Sequence, residues 1–321
     1  MNDDKTALVT GASSGLGFET AAQLAEAGFG RVIVAARSDE KAEAADNRLQ
    51  ARTGLEVFEP VSADLAELRS VEAASDELKR RGHPIDVLIL NAGVLSGKNV
   101  IRTDIGIEQT FAPLVGHHLL TMRLAEHGLI ADHARIVLSG SEAARGDVFS
   151  METVDLPSFA LDGYDGDLGA AAEALARSTP PVAFNAPNAY ANAKLFAVWW
   201  AGALSRRLPV GSTVNAVSPG TTPDTNAGRD QGFFMKKVML PVMTTFGGRL
   251  GVAHDISTGA GRYVEGIGFG DDATGKFYAS PPKKMVGPLH EYGGPQFTDP
   301  TTQEAVWNTI VALSGGVDYP S

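Results

Sequence analysis

The sequence predicts an α/β fold, a doubly wound parallel sheet of about seven strands with helices on both faces. Three observations predict it. Short β-branched runs alternate with longer helical patterns along the chain. The strand-like runs are apolar throughout, as strands buried on both faces are. A glycine-rich turn joins the first strand to the first helix.

The elements follow in order. Ala7 to Thr10 reads as the first strand, and Gly15 to Ala27 as a helix with Phe18, Ala21, Ala22, Leu24 and Ala25 on its apolar face. Arg31 to Ala36 is strand two and Asp39 to Arg52 a polar helix. Leu55 to Val61 is strand three, followed by a helix over Ala66 to Arg81. Asp86 to Leu90 is strand four, and a long helix lies within Asp104 to His127. Ala134 to Leu138 is strand five, Asn188 to Arg207 a strong helix and Ser212 to Val217 strand six. Gly275 to Ala279 is a late strand and Thr301 to Leu313 a final helix.

Two stretches break the rhythm, residues 142–187 and 221–274. Loops that long usually do a job, such as forming a lid. The candidate chemistry runs from residue 11 to about residue 222, which favours a single domain over 1–321 with two insertions. Lys plus Arg is 27 against 38 for Asp plus Glu, a formal net charge of −11, which argues against nucleic acid or an anionic membrane as a partner. With no cysteine, disulfides, thiol nucleophiles and thiolate metal sites are excluded. No charged-then-apolar leader is seen, and the most apolar stretch, Leu195 to Leu204, is too short for a membrane span. A cytoplasmic location is the expectation.

Strand one ends in Thr10-Gly-Ala-Ser-Ser-Gly-Leu-Gly17, with a helix directly after it. Gly11, Gly15 and Gly17 allow a tight turn whose N–H groups can approach a pyrophosphate, and the helix N-terminus adds its positive end. This is the context of a Rossmann-type dinucleotide site, with Ser13, Ser14 and Leu16 in the cradle. An acidic residue ending strand two would bind a free adenosine ribose. Here stand Ala35, Ala36 and then Arg37, and a guanidinium suits a 2′-phosphate. The expected cofactor is therefore NADP(H), the alternative being that Arg37 is a solvated loop residue. Asp64 is placed to bind the adenine amino group or to cap a helix.

Ser139-Gly-Ser141 follows strand five, and Tyr190-Ala-Asn-Ala-Lys194 opens a helix. The i, i+4 spacing puts phenol and ammonium on one helix face. A nearby cation favours phenolate, so Lys194 is expected to lower the pKa of Tyr190. A tyrosine tuned that way can protonate a carbonyl oxygen as hydride arrives.

At this point the sequence resembles the short-chain dehydrogenase/reductase family, to about residue 220. The resemblance rests on Thr10 to Gly17, Ala63-Asp-Leu65, Asn91-Ala-Gly93, Ser139-Gly-Ser141, Tyr190 with Lys194, and Ser218-Pro-Gly220. It implies that Asn91, Ala92 and Gly93 support the sheet and border the cofactor, as does Leu65 beside Asp64. It implies that Ser141 positions the substrate oxygen, that Tyr190 is the acid/base, and that Lys194 also binds the nicotinamide ribose. Pro219, Gly220 and Thr221 would line the nicotinamide. Hydride would pass directly between nicotinamide and substrate carbon. Homodimers or homotetramers are common in the family.

Within the family the sequence looks most like the retinol dehydrogenase and light-dependent protochlorophyllide reductase branch. Arg37 follows an alanine pair, a long segment containing Gly166-Asp-Leu168 separates Ser141 from Tyr190, and Gly275-Lys-Phe-Tyr278 precedes a C-terminal helix. Two departures stand out. The family's fourth catalytic position, usually Asn, falls on Pro113 when Gly116-His117 is aligned. Proline inside a helix is expected to kink it and free the carbonyl of Gln109, leaving an altered proton relay. The lack of cysteine argues against a chlorophyll precursor as substrate.

Weaker signals remain. Phe233, Phe234 and Met239 lie where this family builds its substrate lid and would imply an apolar small-molecule substrate; packing or a subunit contact is the alternative. His117 and His118 point apart on one helix and read as packing residues, Trp199 and Trp200 as helical core or a dimer face. Asp162, Asp165 and Asp167 do not make a calcium loop, so no metal is expected. The rival function is a non-redox protein on the same fold, a nucleotide sensor or a lyase- or dehalogenase-like enzyme. A sensor would lack Tyr190 or Lys194, and the latter enzymes discard the glycine cradle.

Overall fold

The computed structural model describes residues 4–148, 151–222 and 253–320. The first part alternates strictly: β1 (Thr6–Thr10), α1 (Gly15–Glu26), β2 (Arg31–Ala36), α2 (Asp39–Thr53), β3 (Phe58–Ser62), α3 (Leu68–Arg81), β4 (Ile85–Leu90), α4 (Ala112–Glu126) and β5 (Ile130–Ser139). A 3₁₀ turn (Glu142–Arg145), α5 (Leu156–Gly163), α6 (Leu168–Arg177), α7 (Ala186–Ser205) and β6 (Thr213–Val217) follow. The chain continues with α8 (Ile256–Ile267), β7 (Lys276–Ala279), β8 (His290–Tyr292), α9 (Pro295–Thr298) and α10 (Pro300–Leu313).

Among the described residues the strands form one sheet in the order β3-β2-β1-β4-β5-β6-β7-β8. All pairs are parallel except β7 with β8. The strand order reverses at β1, between β2 and β4, and ligands of open α/β sheets bind outside the strand ends at such a point. Successive residues supply two cores. Leu8, Ile33, Leu88 and Ile136 face one way, against Leu78, Leu119, Trp200 and Trp307 of α3, α4, α7 and α10. Val9, Val34, Ile89 and Val137 face the other, against Leu24, Leu49 and Tyr263 of α1, α2 and α8. Burial on both faces is why these strands read as continuous apolar runs.

Local signals set the ends. Ser38 accepts from the Lys41 N–H at 3.4 Å to cap α2, which Gly54 closes at φ 71°. Expected strand and helix bounds agree with the observed ones to within a few residues, the largest shift being β5, which starts at Ile130 rather than Ala134. The eighth strand is short, antiparallel and at the edge, and its three residues carry no legible period. The stretch 142–187 is not an irregular loop. It holds α5 and α6, capped by the carboxylates of Asp155 and Asp167.

Within Asp104–His127 the helix forms only from Ala112. The buried Glu108 carboxylate accepts from the Ser96 hydroxyl and from the Thr110 N–H (2.9 Å), which holds the preceding residues in irregular backbone. Trp199 and Trp200 belong to the core. Trp199 Nε1 donates to the Gln296 carbonyl at 2.7 Å, and Trp200 stacks with Trp307 at 6.2 Å between centroids. Among the described residues no helix is long and apolar enough to cross a membrane.

Candidate active site

The glycine turn is built from positive-φ residues, Gly11 at 66° and Gly15 at 60°, a region that a side chain makes costly. The Ala12 N–H donates to the Ala35 carbonyl at 3.0 Å, holding the turn against β2. Gly17 serves packing: a Cβ there would sit 2.5 Å from the Gly11 carbonyl oxygen and from Asn91 Nδ2. Ser14 stands at the N-cap of α1 and makes no side-chain cap. The first N–H groups of that helix are therefore left to an outside acceptor, which fits a pyrophosphate.

Asn91 braces the turn. Its N–H donates to Thr10 Oγ1 at 2.9 Å, its Nδ2 to the Thr10 carbonyl at 2.9 Å, and the Ala92 N–H to Thr10 Oγ1 at 3.1 Å. Arg37 Nε lies 3.8 Å from Asp64 Oδ2, and the Arg37 side chain is 68% exposed. Asp64 does not cap α3, whose N-cap is Glu67. It closes a turn instead, accepting from the Ala66 N–H at 3.0 Å, with Leu65 buried beside it. Arg48 was not legible in the sequence. From the polar helix α2 it reaches back to the Ser13 carbonyl at 3.2 Å and stacks over Phe18 at 4.4 Å.

The reactive groups come from two strand ends and a helix start. Asn185 caps α7 by accepting from the Asn188 N–H at 3.0 Å, and Pro187 occupies its first turn. Tyr190 and Lys194 then fall one turn apart. Ser141 accepts from the Ala143 N–H at 3.2 Å at the head of the 3₁₀ turn, beside the Tyr190 phenol, on which its hydroxyl acts downward. Lys194 Nζ donates to the Ser139 carbonyl at 2.7 Å and lies 3.4 Å from Ser139 Oγ. Gly93 adjoins this lysine, a Cβ there falling 3.9 Å from Nζ.

The electrostatics correct one expectation. Burial pushes the Tyr190 phenol above its usual range, opposed by the Ser141 hydrogen bond and reinforced by the negative charge of Glu142. Lys194 does not lower it here, because the ammonium is turned to the Ser139 carbonyl and stands 5.8 Å from the Tyr190 ring centroid. Burial instead pushes Lys194 itself down to about 8.

A cavity of about 30 Å³ lies behind these groups, room enough for water, lined by Tyr190, Lys194, Ser139, Thr110, Pro113 and His117 among others. Pro113 is a second correction. It occupies the first turn of α4, where no intrahelical N–H is missed. The expected kink does not arise, and Gln109 precedes the helix. One turn on, His117 Nε2 stands 2.8 Å from Thr10 Oγ1. That hydroxyl already accepts two backbone N–H groups, so its proton goes to the imidazole rather than to the Ile89 carbonyl at 3.4 Å.

On the opposite rim the loop after β6 turns at Gly220, φ 76°. The Thr221 N–H donates to the Met285 carbonyl at 3.0 Å, whereas the buried Thr221 hydroxyl has no partner among the described residues. An orphaned polar atom beside Pro219 and Gly220 fits a polar cofactor group at this point. Phe233, Phe234 and Met239 lie outside the described residues.

The short chain dehydrogenase family profile matches residues 5–152. Human retinol dehydrogenase 13 is 30% identical over 282 residues, covering 82% of this chain and 76% of that protein. The WW domain-containing oxidoreductase of Drosophila melanogaster is 33% identical over 234 residues, 72% of this chain and 52% of that one, so the chain matches about half the length of that relative. A short chain dehydrogenase from Burkholderia cenocepacia J2315, solved in complex with NADP, shares the fold at a TM-score of 0.58 and 23% identity, covering 85% of this chain and 95% of that one. Fold, motifs and relatives agree, and the chain belongs to the short-chain dehydrogenase family.

Proposed function

We propose that the protein is an NADP(H)-dependent oxidoreductase that moves hydride between the nicotinamide and a carbonyl or alcohol carbon of a fairly apolar small molecule. An activated C=C bond is a variant substrate of the same chemistry. The observation that carries this reading is the meeting of Ser141, Tyr190 and Lys194 between the uncapped N-terminus of α1 and the Thr221 hydroxyl, which has no partner among the described residues. The NADP complex of the Burkholderia relative supports a nicotinamide cofactor.

The bound cofactor supplies the hydride. The chain's own residues do the rest. Gly11, Ser13, Ser14, Gly15, Leu16 and Gly17 cradle the pyrophosphate, and Arg37 takes the 2′-phosphate. Asp64 and Leu65 border the adenine. Asn91, Ala92, Gly93, Pro219, Gly220 and Thr221 border the nicotinamide side. Ser141 holds the substrate oxygen. Tyr190 gives that oxygen its proton in reduction, and a phenol pushed upward keeps its proton at neutral pH. Lys194, anchored on the Ser139 carbonyl one helical turn on, binds the nicotinamide ribose. The chain acts as one domain, with 142–187 and 221–274 shaping the entrance and Phe233, Phe234 and Met239 meeting the substrate. Assembly as a cytoplasmic homodimer or homotetramer belongs to the same reading.

The test is fluorescence titration with NADPH and NADH, then NADPH consumption against aldehydes, ketones and enones of graded size. Tight NADPH binding with turnover of at least one class is expected. Tight binding without turnover of any class would favour a nucleotide sensor. Binding of neither nucleotide overturns the reading.

A further inference from the structure

A buried ion pair lies directly behind the reactive groups. Glu142 follows Ser141 in the chain and is 2% exposed; Arg262 of α8 is 4% exposed. Arg262 NH1 stands 3.5 Å from Glu142 Oε1. The same Oε1 accepts from the Ser280 N–H at 3.1 Å and the Ser280 hydroxyl at 2.8 Å, and Oε2 accepts from the Ser218 hydroxyl at 2.5 Å. Ser218 Oγ in turn accepts from the Gly220 N–H at 3.1 Å. Arg262 donates to the Ser218 carbonyl at 3.2 Å, to Ser280 Oγ at 3.1 Å and to the Gly287 carbonyl. One pair thus joins the ends of β5, β6 and β7 at the C-terminal end of the sheet, where the Ser141 turn also lies.

Such a pair is weak evidence of stability, since an apolar pair of similar volume often serves as well. Its placement is informative. The Glu142 carboxylate ties the Ser141 turn to the loop carrying Pro219 and Gly220, through a single serine hydroxyl. We propose that Glu142 and Arg262 are positioning residues for the reaction, fixing the Ser141 turn and the Ser218–Gly220 loop relative to each other and setting the electric field at the Tyr190 phenol. This rests on the reading of Tyr190 as the acid/base.

Every charged or titratable group near the pair belongs to the argument. The negative charge of Glu142 acts upward on Tyr190, on Tyr263 of α8 and on Tyr292 of β8, and upward on His254, which Arg262 opposes; Glu265 adds negative charge at Arg262, and Asp255 does so at His254. The Tyr190 phenol is further faced by Ser141, by Tyr263 and by Lys194 across its ring. Arg145, paired with Asp147, meets the Ser280 carbonyl at 2.6 Å. Within this set, neutralising Glu142 leaves Arg262 uncompensated, and neutralising Arg262 leaves Glu142 uncompensated. The two changes act on the phenol with opposite sign.

The experiment compares Glu142→Gln, Arg262→Gln, the double variant and Glu142→Asp. It reads the pH profile of NADPH-dependent carbonyl reduction and, separately, NADPH binding by fluorescence. Glu142→Gln is expected to move the alkaline limb down by about one pH unit and Arg262→Gln to move it up by a similar amount. The double variant and Glu142→Asp should keep the limb within about 0.3 units while binding NADPH at least about threefold more weakly. Limb shifts of the same sign, or none, in folded single variants overturn the proposal. If the single variants do not fold, unchanged NADPH binding in both the double variant and Glu142→Asp overturns it. Tyr190→Phe separates the two readings. If that variant keeps its turnover, the acid assignment falls; if it is inactive and the limbs move together, only the role of the pair falls.

Discussion

Lys194 Nζ donates to the Ser139 carbonyl at 2.7 Å, and the hydroxyl of the same serine meets the Tyr263 phenol at 2.7 Å. The last residue of β5 therefore holds a lysine of α7 from one side and a buried tyrosine of α8 from the other. This contact parks the ammonium away from Tyr190, so burial governs the phenol and its proton affinity rises. Burial holds the lysine itself down to about 8.

Tyr190→Phe removes the proposed acid and leaves the ring. Turnover should fall at least about a hundredfold, with NADPH binding within a few-fold of the parent. Steady-state kinetics beside a fluorescence titration check it, and unchanged turnover would exclude the assignment.

Arg37→Asp sets a carboxylate where a 2′-phosphate is expected and beside Asp64. NADPH affinity should drop about tenfold to a hundredfold, the worth of a charged hydrogen bond, with a much smaller change for NADH. Equal losses for the two nucleotides would refute the NADP preference.

His117 and His118 give the fold a pH dependence. Burial pushes them down to about 3 and about 4 from 6.5. Trp200 Nε1 donates to His118 Nδ1 at 3.0 Å, so His118 Nε2 carries the proton and donates to the Val317 carbonyl at 2.7 Å. The folded state excludes protons that the unfolded chain binds below 6.5. Stability from these residues is thus complete above 6.5 and is lost as pH falls toward their folded values. Each should cost about 1–2 kcal/mol between pH 7 and pH 5. Urea denaturation at the two pH values measures the slope, and His118→Gln should flatten it.

Gly116→Ala tests the seam between α4 and the turn after β3. A Cβ at Gly116 would strike the Leu65 carbonyl oxygen, which is backbone and cannot rotate away. The variant should lose about 1–3 kcal/mol in urea denaturation, despite alanine's better helix propensity. A stability equal to the parent's would show that the seam opens easily.

Pro113→Asn restores the residue usual in the family at a position bordering the cavity with Tyr190 and Lys194. Pro113 neither kinks α4 nor removes a needed N–H, so turnover should stay within about threefold, and a gain of an order of magnitude would show that the present water path is impaired.

Much of this was written in short stretches of sequence. The apolar runs of β1, β2, β4 and β6, the turn from Thr10 to Gly17, and Tyr190 with Lys194 are signals whose parts lie within a few residues of one another. Backbone sterics and helical spacing act over that range, so the pattern alone sufficed for the fold class and for the groups that meet at the strand ends. β8 carries no signal because three residues at an edge show no period, whereas α4 lies inside the 104–127 window, its start set at Ala112 by Glu108, which is satisfied by Ser96 and Thr110.

Tertiary structure alone decided the rest. Glu142 meets Arg262 across 120 positions, Ser139 meets Tyr263 across 124, and Thr10 meets His117 across 107. It also set the sign of the shift on Tyr190, which the spacing to Lys194 suggested wrongly. Proton affinity depends on desolvation and on every charge within a few ångströms, and neither is encoded in the order of neighbouring residues.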